Sequence, residues 1–524
     1  MHVDIQSLSK RYANGVLACD AVSLQLQPGE VHAILGENGA GKSSLMKMLY
    51  GLVEPDSGSI VVQGQPRRFD SPLDAMAAGI GLVPQHLQLL PSLTVAENLV
   101  LGAEPVRGPL FDARRARAAA SQAAAAHGLA IDVDAAVGTL SAGQQQRVAI
   151  LKALHRGARL LLLDEPTALL APAEAEALFE HLRTLVAGGA SVVLISHKMA
   201  EVQQAADRYT VLRAGRVVGG GRAAGLSAEH LATLMMGRPL APLRSTRVDA
   251  RGRPPLLAVR ELTLLRPGAR PDLAALSLDV AGGEILGIAG VEGNGQQPLA
   301  EVLGGLREAS SGSLQLAGRT LAGLSVRQRR QAGLGSVSED RLHDGIAPAL
   351  SVAENAVALD YNRPPQSRRG VLDVAHIARR ARDWVARYGV VCRDERQATG
   401  ALSGGNMQKV VLARELEAAP RCLVASQPTR GVDIGAARAL RAELLALRDR
   451  GAAVLLFSAD LDELLALADR IAVLFEGRIV GHFAADSVAP RMLGRYMTGS
   501  LQDRLAQARL DAPFTAPFTA MEAP

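Results

Sequence analysis

The segment VHAILGENGAGKSSLMKML, Val31 to Leu49, decides the fold. Its first five residues are an apolar run typical of a buried strand, and Ser43 to Leu49 is typical of a helix. Between them, Gly36 to Ser43 fits the pattern GxxxxGK followed by Ser or Thr, in which backbone N–H groups surround phosphate oxygens. We therefore expect Lys42 to reach the outer phosphates of a nucleotide and the Ser43 hydroxyl to ligate Mg²⁺. A glycine-rich turn without a ligand is the alternative, and the strand, the helix and the Lys-Ser pair disfavour it.

Two acids follow a second apolar run, Leu160 to Leu163. Carboxylates at the end of a buried strand are costly to desolvate unless a cation or a substrate uses them. We expect Asp164 to hold the Mg²⁺ shell and Glu165 to polarise an attacking water. Taken alone, such a pair is more often an exposed cap, but its place downstream of a phosphate loop favours function.

Short apolar runs alternate with helical stretches along the chain, and Val192 to Ile195 is a further buried strand. This alternation predicts an α/β fold with a largely parallel sheet. The Ala- and Arg-rich stretch from Ala113 to His127 predicts a helix between the phosphate loop and the acids, which we expect to form a small helical lobe.

The sequence contains an internal repeat, so the 524 residues divide into two domains of ordinary size. PGEVHAILGENGAGKS recurs as GGEILGIAGVEGNGQQ, LTVAEN recurs as LSVAEN, and LSAGQQQRV recurs as LSGGNMQKV, all in the same order. The predicted bounds are 1–237 for the first domain, 238–255 for a Pro- and Arg-rich linker and 256–500 for the second domain. The Ala-Pro-rich tail, 501–524, is predicted to be partly disordered.

Composition narrows the function classes. The formal charge is +5, mild for this length, which favours a solvated surface over a nucleic-acid footprint. Cys19, Cys392 and Cys422 are widely separated, so neither a disulfide framework nor a zinc site is supported, and a reducing cytosol fits. Because the first residues contain no apolar run, we expect no secretory signal, and no stretch is apolar for long enough to predict a membrane span. We expect any work at a membrane to proceed through partners that span it.

Leu140 to Gln144, LSAGQ, together with the phosphate loop and LLLLDEPT, resembles the signature set of ATP-binding cassette (ABC) proteins, whose signature is LSGGQ. The resemblance covers nearly the whole chain in both halves. It implies two tandem P-loop ATPase domains, paired head to tail, that hydrolyse ATP with Mg²⁺. It also implies that Gln85 contacts Mg²⁺ and senses a transmembrane partner, that His197 contacts the γ-phosphate and that Tyr12 stacks on adenine.

Four groups of residues carry these expectations. The expected catalytic residues are Lys42, Gln85, Glu165 and His197, and the expected metal ligands are Ser43, Gln85 and Asp164. The residues expected to bind ATP in the first half are Tyr12, Gly36, Glu37, Asn38, Gly39, Ala40, Gly41, Lys42, Ser43 and Ser44. Those expected to bind it from the second half are Ser403, Gly404, Gly405 and Asp433.

The nucleotide motifs of the second half are degenerate. The loop from Gly290 to Gln297 keeps its glycines, but Gln296 replaces the Lys and Gln297 replaces the hydroxyl. The two acids become Ser426 and Gln427, the His becomes Ala459, the Tyr becomes Arg266 and the Gln becomes Glu339. We expect the backbone of this loop still to cradle phosphate, but without the metal acid or the water-polarising acid.

The second signature, in contrast, keeps its Ser and both glycines, and Asp433 keeps an acid where the first half has Ala171. In a head-to-tail pair each phosphate loop is covered by the other cassette's signature. The resemblance therefore implies one good composite site, from the first loop and the second signature, and one poor site, from the second loop with Ser141 and Gly143. The competing hypothesis is that each half closes on the matching half of a second chain.

The fused pair, the LSGGN-type second signature and Glu339-Asp340-Arg341 resemble the ATPase subunits of ribose/galactose-type sugar importers. VPQH, Val83 to His86, and ASQPTRG, Ala425 to Gly431, resemble the nucleoside importers of that group. The resemblance implies an ATPase that powers nucleoside import, or alternatively import of a simple sugar such as ribose or galactose. It implies two transmembrane permease subunits, an extracytoplasmic substrate-binding protein and a peripheral location on the cytoplasmic face of the inner membrane, with no nucleic acid partner.

The sequence fits two other classes of protein less well. Soluble ribosome-associated twin cassettes resemble chains with two intact sites and a long charged linker, and DNA-repair types carry zinc cysteines; neither pattern fits. A binding module without turnover would not need the complete acids of the first half.

Overall fold

The computed structural model describes residues 1–13, 15–167, 170, 172–196, 198–238, 246–250, 252–268 and 270–499. His197, Ala171 and the predicted tail lie outside these residues. The chain divides into two compact units. The first comprises Met1–Arg244, Ser403–Gln408 and Thr429–Leu440, and the second comprises Ser245–Leu402, Lys409–Pro428 and Arg441–Pro524. The domain bounds inferred from the sequence stay predictions.

The strands of the first half are mostly short and apolar. They are β1 (Val3–Arg11), β2 (Leu17–Leu26), β3 (Val31–Leu35), β4 (Ser57–Val62), β5 (Gln65–Arg67), β6 (Ile80–Val83), β7 (Val106–Arg107), β8 (Leu110–Phe111), β9 (Leu160–Asp164), β10 (Ser191–Ile195), β11 (Arg208–Arg213) and β12 (Arg216–Arg222). The helices are α1 (Lys42–Leu49), α2 (Pro72–Ala77), α3 (Val95–Val100), α4 (Ala113–Ala126), α5 (Ala142–His155), α6 (Pro172–Ala187), α7 (Met199–Ala205) and α8 (Ala228–Met236), with a 3₁₀ turn at Val137–Thr139.

One sheet of this half carries the site. Its strand order is β12-β11-β3-β10-β9-β6, with every pair parallel except β11–β12. β3 and β10 are buried along their whole length, as expected for central strands of a sheet covered on both faces. A second, antiparallel sheet has the order β2-β1-β4-β5. The carboxyl ends of β3, β9 and β10 meet at one edge of the parallel sheet, which is where α/β folds place ligands.

A small helical lobe follows β6. Helices α3, α4 and α5 share an apolar cluster that includes Val95, Leu99, Ala120 and Val148. The side chain of Asn98 is fully buried and its amide donates to the carbonyls of Leu90, Leu93 and Thr94, so it ties the incoming loop to α3. The predicted lobe is therefore present, and the helix predicted from Ala113 to His127 is α4 with its C-cap.

The second half repeats this plan. Its strands are β13 (Pro255–Leu264), β14 (Leu273–Ala281), β15 (Ile285–Ala289), β16 (Ser311–Leu316), β17 (Arg319–Thr320), β18 (Leu334–Val337), β19 (Ser367–Arg368), β20 (Val371–Leu372), β21 (Cys422–Ser426), β22 (Ala453–Phe457), β23 (Arg470–Phe475) and β24 (Arg478–Ala484). Its helices are α9 (Gln296–Gly304), α10 (Val326–Gln331), α11 (Val352–Val357), α12 (Val374–Arg387), α13 (Gly404–Glu417), α14 (Ile434–Asp449), α15 (Leu461–Leu467) and α16 (Pro490–Met497). A π-helix at Arg341–Gly345 and a 3₁₀ turn at Thr399–Ala401 complete it.

The main sheet of this half has the order β18-β21-β22-β15-β23-β24, which is the order of the first half read from the other edge. Every pair is parallel except β23–β24. The α/β class with two tandem, mostly parallel sheets is confirmed. Among the described residues, no helix combines the length and the apolar character needed to cross a bilayer.

Candidate functional site

The phosphate loop joins the end of β3 to the start of α1. Gly41, at the helix N-cap, has φ 104°, and a Cβ there would lie 2.2 Å from the carbonyl oxygen of Ala18, so only glycine fits. The Lys42 ammonium is nearly buried and donates to the carbonyls of Gly36 at 2.6 Å and Glu37 at 3.0 Å. Burial lowers the pKa of Lys42, opposed by the charges of Glu165, Asp164 and Glu37. Hydrogen bonds thus join the Lys42 ammonium to the first two residues of the loop.

The two acids end β9 beside this loop. The Ser43 hydroxyl lies 3.5 Å from Asp164 Oδ2. Burial raises the pKa of Asp164, the Glu165 charge raises it further, and Lys42 and Ser43 oppose the rise. The Ser43 hydroxyl and the partly buried carboxylate of Asp164 lie side by side. Two such oxygen ligands suit Mg²⁺, which takes few protein ligands and completes its coordination shell with phosphate oxygens and water. The residues present therefore fit the expected Mg²⁺.

Glu165 follows the strand in a strained conformation. Its φ is 47°, unusual for a residue with a side chain, and its N–H donates to the Ile195 carbonyl of β10 at 3.0 Å. Gln85 Nε2 donates to Glu165 Oε2 at 2.9 Å. The structure thus brings Gln85, from the end of β6, to the predicted water-polarising acid.

The remaining first-half residues were also predicted at this edge. The Tyr12 and Ser44 hydroxyl oxygens are 3.2 Å apart, so the predicted adenine-stacking ring lies next to α1. Asn38 and Gly39 are exposed, whereas Ala40 is buried. His197 lies outside the described residues, so its predicted role is untested.

One residue that we did not predict lies behind the acids. The carboxylate of Glu201 on α7 is buried and accepts hydrogen bonds from the Ser196 hydroxyl at 2.6 Å and from the Thr167 hydroxyl. Ser196 precedes His197 in the chain, and Thr167 lies two residues after Glu165. Glu201 therefore ties together the two segments that carry the predicted base and the predicted γ-phosphate contact. A sequence motif gave no sign of this, because the link needs the tertiary fold.

The first unit also contains the segments 403–408 and 429–440, which include Ser403, Gly404, Gly405 and Asp433. Within this unit, burial raises the pKa of Glu37 and the Asp433 charge raises it further, while a hydrogen bond from the Gly435 N–H lowers it. A Cβ on Gly435 would lie 2.6 Å from Met236 Cε, so the end of the Met236 side chain would have to move to admit a larger residue. The loop residue Glu37 and the acid Asp433 are thus electrostatic neighbours in one compact unit.

The second loop has the same backbone and different chemistry. Gly295 caps α9 with φ 113°, as Gly41 caps α1. Gln296 Nε2 donates to the Val291 carbonyl at 3.0 Å, and Gln297 Nε2 donates to Glu301 Oε1 at 2.9 Å. Gln427 keeps the left-handed φ of 48°, and its Oε1 accepts from the Ala459 N–H at 3.2 Å. Amides replace the cation, the hydroxyl and the acid, and they bond to the second half's own backbone and side chains.

The first signature contacts a further residue, Glu174, that the sequence analysis did not identify. The Ser141 hydroxyl donates to Glu174 Oε1 at 3.0 Å, and a Cβ on Gly143 would lie 2.6 Å from the same oxygen. The matching position in the second half is Ala436. The position of Glu174, three residues after Ala171, becomes informative only once its contact with Ser141 is known.

A groove lies next to Gln85. It has a volume of about 220 Å³ and is lined by Tyr50, Met76, Val83, Leu89, Lys152 and Arg156, among others. The stretch after Gln85, to about Leu101, is apolar without being clearly a core strand, which predicts a docking surface or, equally, burial within the first domain. Val95, Ala96 and Leu99 are buried in the lobe, because α3 packs on α4 and α5. The exposed part of that region is the loop after Gln85, at one side of the groove.

Comparison with known proteins agrees with this geometry. The family model "ABC transporter" matches residues 19–168 and 273–430. The nucleoside import ATP-binding protein NupA of Lactococcus lactis subsp. cremoris is 39% identical over 497 residues, covering 95% of this chain and 98% of the relative. The glucose import ATP-binding protein TsgD13 of Haloferax volcanii is 43% identical over 515 residues, covering 93% and 94%.

A solved two-cassette structure is similar over most of the length. The archaeal ribosome recycling factor aABCE1, in its complex with the ribosomal stalk protein aP1, has a TM-score of 0.61 and covers 96% of this chain and 92% of its own. The two sequences are 18% identical, so the likeness shows the fold alone.

Proposed function

Since this chain belongs to the ABC transporter family, as a two-cassette ATP-binding protein of the ribose/nucleoside import group, we propose that it powers the import of nucleosides across the cytoplasmic membrane. The observation that carries the ATPase site is the cluster at the edge of the first sheet. There Gln85 meets Glu165 at 2.9 Å, and Ser43 meets Asp164 at 3.5 Å beside Lys42.

The chemistry proposed for this cluster assigns one task to each group. Loop N–H groups and Lys42 bind and orient the phosphates, and Ser43, Asp164 and Gln85 hold Mg²⁺, which neutralises charge on the transferred phosphoryl group. Glu165 accepts a hydrogen bond from the attacking water and orients it toward the γ-phosphorus. His197 contacts the γ-phosphate, and the Tyr12 ring stacks on adenine.

We propose that the active site is completed by Ser403, Gly404, Gly405 and Asp433. Support comes from their membership of the first compact unit and from the influence of Asp433 and Gly435 on the pKa of the loop residue Glu37. The second loop, Gly290 to Gln297, lacks the cation and the hydroxyl, and both acids of the second half are replaced.

Nucleosides are proposed over simple sugars because of the VPQH and ASQPTRG segments and the similarity to the L. lactis nucleoside import protein. The glucose import relative is slightly more identical, so a simple sugar such as ribose or galactose is the second candidate. The proposed partners are two transmembrane permease subunits and an extracytoplasmic substrate-binding protein. The chain would sit peripherally on the cytoplasmic face, with the groove beside Gln85 receiving a permease segment.

The test is direct. The binding protein that co-purifies with the assembled transporter is titrated with nucleosides, pentoses and hexoses, and uptake of the tightest ligand is then measured in vesicles with ATP. Nucleoside binding and ATP-dependent nucleoside uptake are expected. Preference for a pentose or hexose would replace the substrate class and leave the importer function intact, whereas uptake without any need for this chain would overturn the function itself.

A further inference from the structure

The hydroxyl of the first signature serine is already used within its own half. Glu174 stands in the first turn of α6, and its Oε1 accepts a hydrogen bond from the Ser141 hydroxyl at 3.0 Å. The Ser141 oxygen in turn accepts from the Gln144 N–H at 3.3 Å. A serine hydroxyl has a single proton to donate, and Glu174 takes it. In this arrangement Ser141 has no proton left for a phosphate oxygen.

The same carboxylate lies against the glycine of this signature. A Cβ built on Gly143 would lie 2.6 Å from Glu174 Oε1 and 2.8 Å from the carboxyl carbon. The amino end of a helix stabilises an acid in its first turn, so α6 favours the carboxylate at this place. Phosphate oxygens carry the same sign of charge as Glu174 and would be repelled here. The first signature is therefore a poor surface for the terminal phosphate of a nucleotide.

The second signature is arranged differently. Ser403 accepts from the Asn406 side chain at 2.9 Å and from the Asn406 N–H at 3.4 Å, and neither of these bonds uses the serine proton. A Cβ built on Gly405 would lie at least 3.6 Å from its neighbours, and Asp433 Oδ2 would be 3.8 Å away. The position of Glu174 is an alanine in the second half. The carboxylate contact is thus a property of one signature and not of the repeat.

We propose that Glu174 prevents the first half of this chain from closing on the first half of a second copy. Such a pair would set an intact phosphate loop and its ATP against Ser141 and Gly143, where Glu174 takes the serine proton and repels the terminal phosphate. Without the acid, two intact sites could form between copies, and ATP would drive the copies together. With it, the first loop is left with Ser403 and Gly405 to complete its site. This inference rests on the proposed ATPase site.

The test uses the full chain with two background changes, Glu165→Gln to retain ATP and Ser403→Arg to block the proposed partner signature. Sedimentation equilibrium with and without Mg-ATP measures whether copies of the chain dimerise. With Glu174 present the chain should stay largely monomeric. Glu174→Ala should raise the ATP-dependent association constant by about tenfold or more, because it removes a charge of the same sign as the phosphates. Glu180→Ala, at an exposed acid on the same helix, is the matched control and should leave the constant unchanged.

A catalytic measurement supports the sedimentation result and uses chains in which Glu165 is intact. Ser403→Arg alone should be nearly inactive. Adding Glu174→Gln, which keeps the size of the side chain and removes its charge, should restore part of the ATPase activity. The restored rate per chain should rise with chain concentration, because the new sites form between copies. A gain that came only from a change in folding would not depend on concentration.

The outcomes separate the inference from the function. If Glu174→Ala and Glu174→Gln dimerise no more than the background chain, Glu174 does not decide which half is the partner, and the inference is wrong while the ATPase function stands. ATP-driven dimers of the background chain itself would also overturn it, because the carboxylate would then be no barrier. A wild-type chain that hydrolyses no ATP would instead overturn the proposed function, and the inference with it.

Discussion

The Ser141 hydroxyl donates a hydrogen bond to Glu174 at 3.0 Å, so the signature serine of the first half is bonded to a carboxylate of its own half. Ser403, its counterpart, instead accepts from the Asn406 side chain at 2.9 Å. A carboxylate at the first signature repels the terminal phosphates of a nucleotide. The two signatures therefore differ in charge.

The proposed pairing within one chain predicts unequal effects at the two signatures. Ser403→Arg should remove nearly all ATPase activity of the assembled transporter, because a bulky cation would block the γ-phosphate contact of the site that contains Glu165. Ser141→Arg should leave most activity, since that serine is not among the residues proposed to complete the site that contains Glu165. The measurement is the ATPase rate of each single variant. The reverse order would instead favour matching halves pairing between two chains.

The first-half acids make a second prediction. Glu165→Gln should keep ATP binding within about threefold and reduce hydrolysis by about 1,000-fold or more, because the amide cannot polarise the attacking water. Lys42→Ala should weaken nucleotide binding itself, because it removes a phosphate contact and its charge. Equilibrium binding and single-turnover hydrolysis distinguish the two effects. A Glu165→Gln protein with a near wild-type rate would show that another group polarises the water.

Glu201 permits a test with a matched control inside the chain. Glu201→Gln should lower kcat between about 10- and 100-fold with KM for ATP within about twofold, because the segments near Glu165 shift while the phosphate loop stays intact. Glu463 makes the equivalent buried contact with Ser458, at 2.7 Å, in the half that lacks the acids. Glu463→Gln should therefore leave kcat within about twofold. Equal losses in both variants would mean that these carboxylates only stabilise the fold.

His32 predicts a pH dependence of stability. It is buried on β3, its Nε2 lies 2.8 Å from Thr210 Oγ1, and burial lowers its pKa to about 4. Between that value and about 6.5 the unfolded chain binds a proton that the folded chain does not, so stability is complete above about 6.5 and falls as pH drops toward 4. The loss reaches up to about 3 kcal/mol for this group.

The measurement for His32 is urea unfolding of the wild type and of His32→Gln between pH 7.5 and 5. The variant should lose less stability on acidification than the wild type does. His155→Gln, at an exposed position on α5, is the control and should follow the wild type. If His32→Gln and the wild type show the same pH slope, another buried group carries the acid sensitivity.

Much of the fold could be predicted because the informative patterns are local. Apolar runs such as Val31 to Leu35 and the GxxxxGKS loop specify a strand, a turn and a helix within neighbouring residues, and the structure has all three. Because the sequence is duplicated, the same fold is predicted for the second half, and its sheet has the same strand order. Local physical signals thus sufficed for the α/β class and for the first loop.

The features that were missed depend on residues far apart in the chain. Glu174 lies 33 residues from Ser141, and Glu201 lies 34 residues from Thr167. Only the fold brings each acid to its partner, and the position of Glu174 three residues after Ala171 becomes informative only once that contact is known. The sequence left open whether the stretch from Gln85 to Leu101 docks a partner or is buried, because only the fold shows that α4 and α5 cover Val95 and Leu99.

The composition of the first compact unit has a consequence for biosynthesis. Its segments 403–408 and 429–440 are synthesised about 160 to 200 residues after Arg244, which at about 5–20 residues per second is a delay of roughly 8 to 40 s. During that interval the first half must persist with its later-made surface uncovered. Translation speed through the second half therefore sets how long that surface stays uncovered during synthesis.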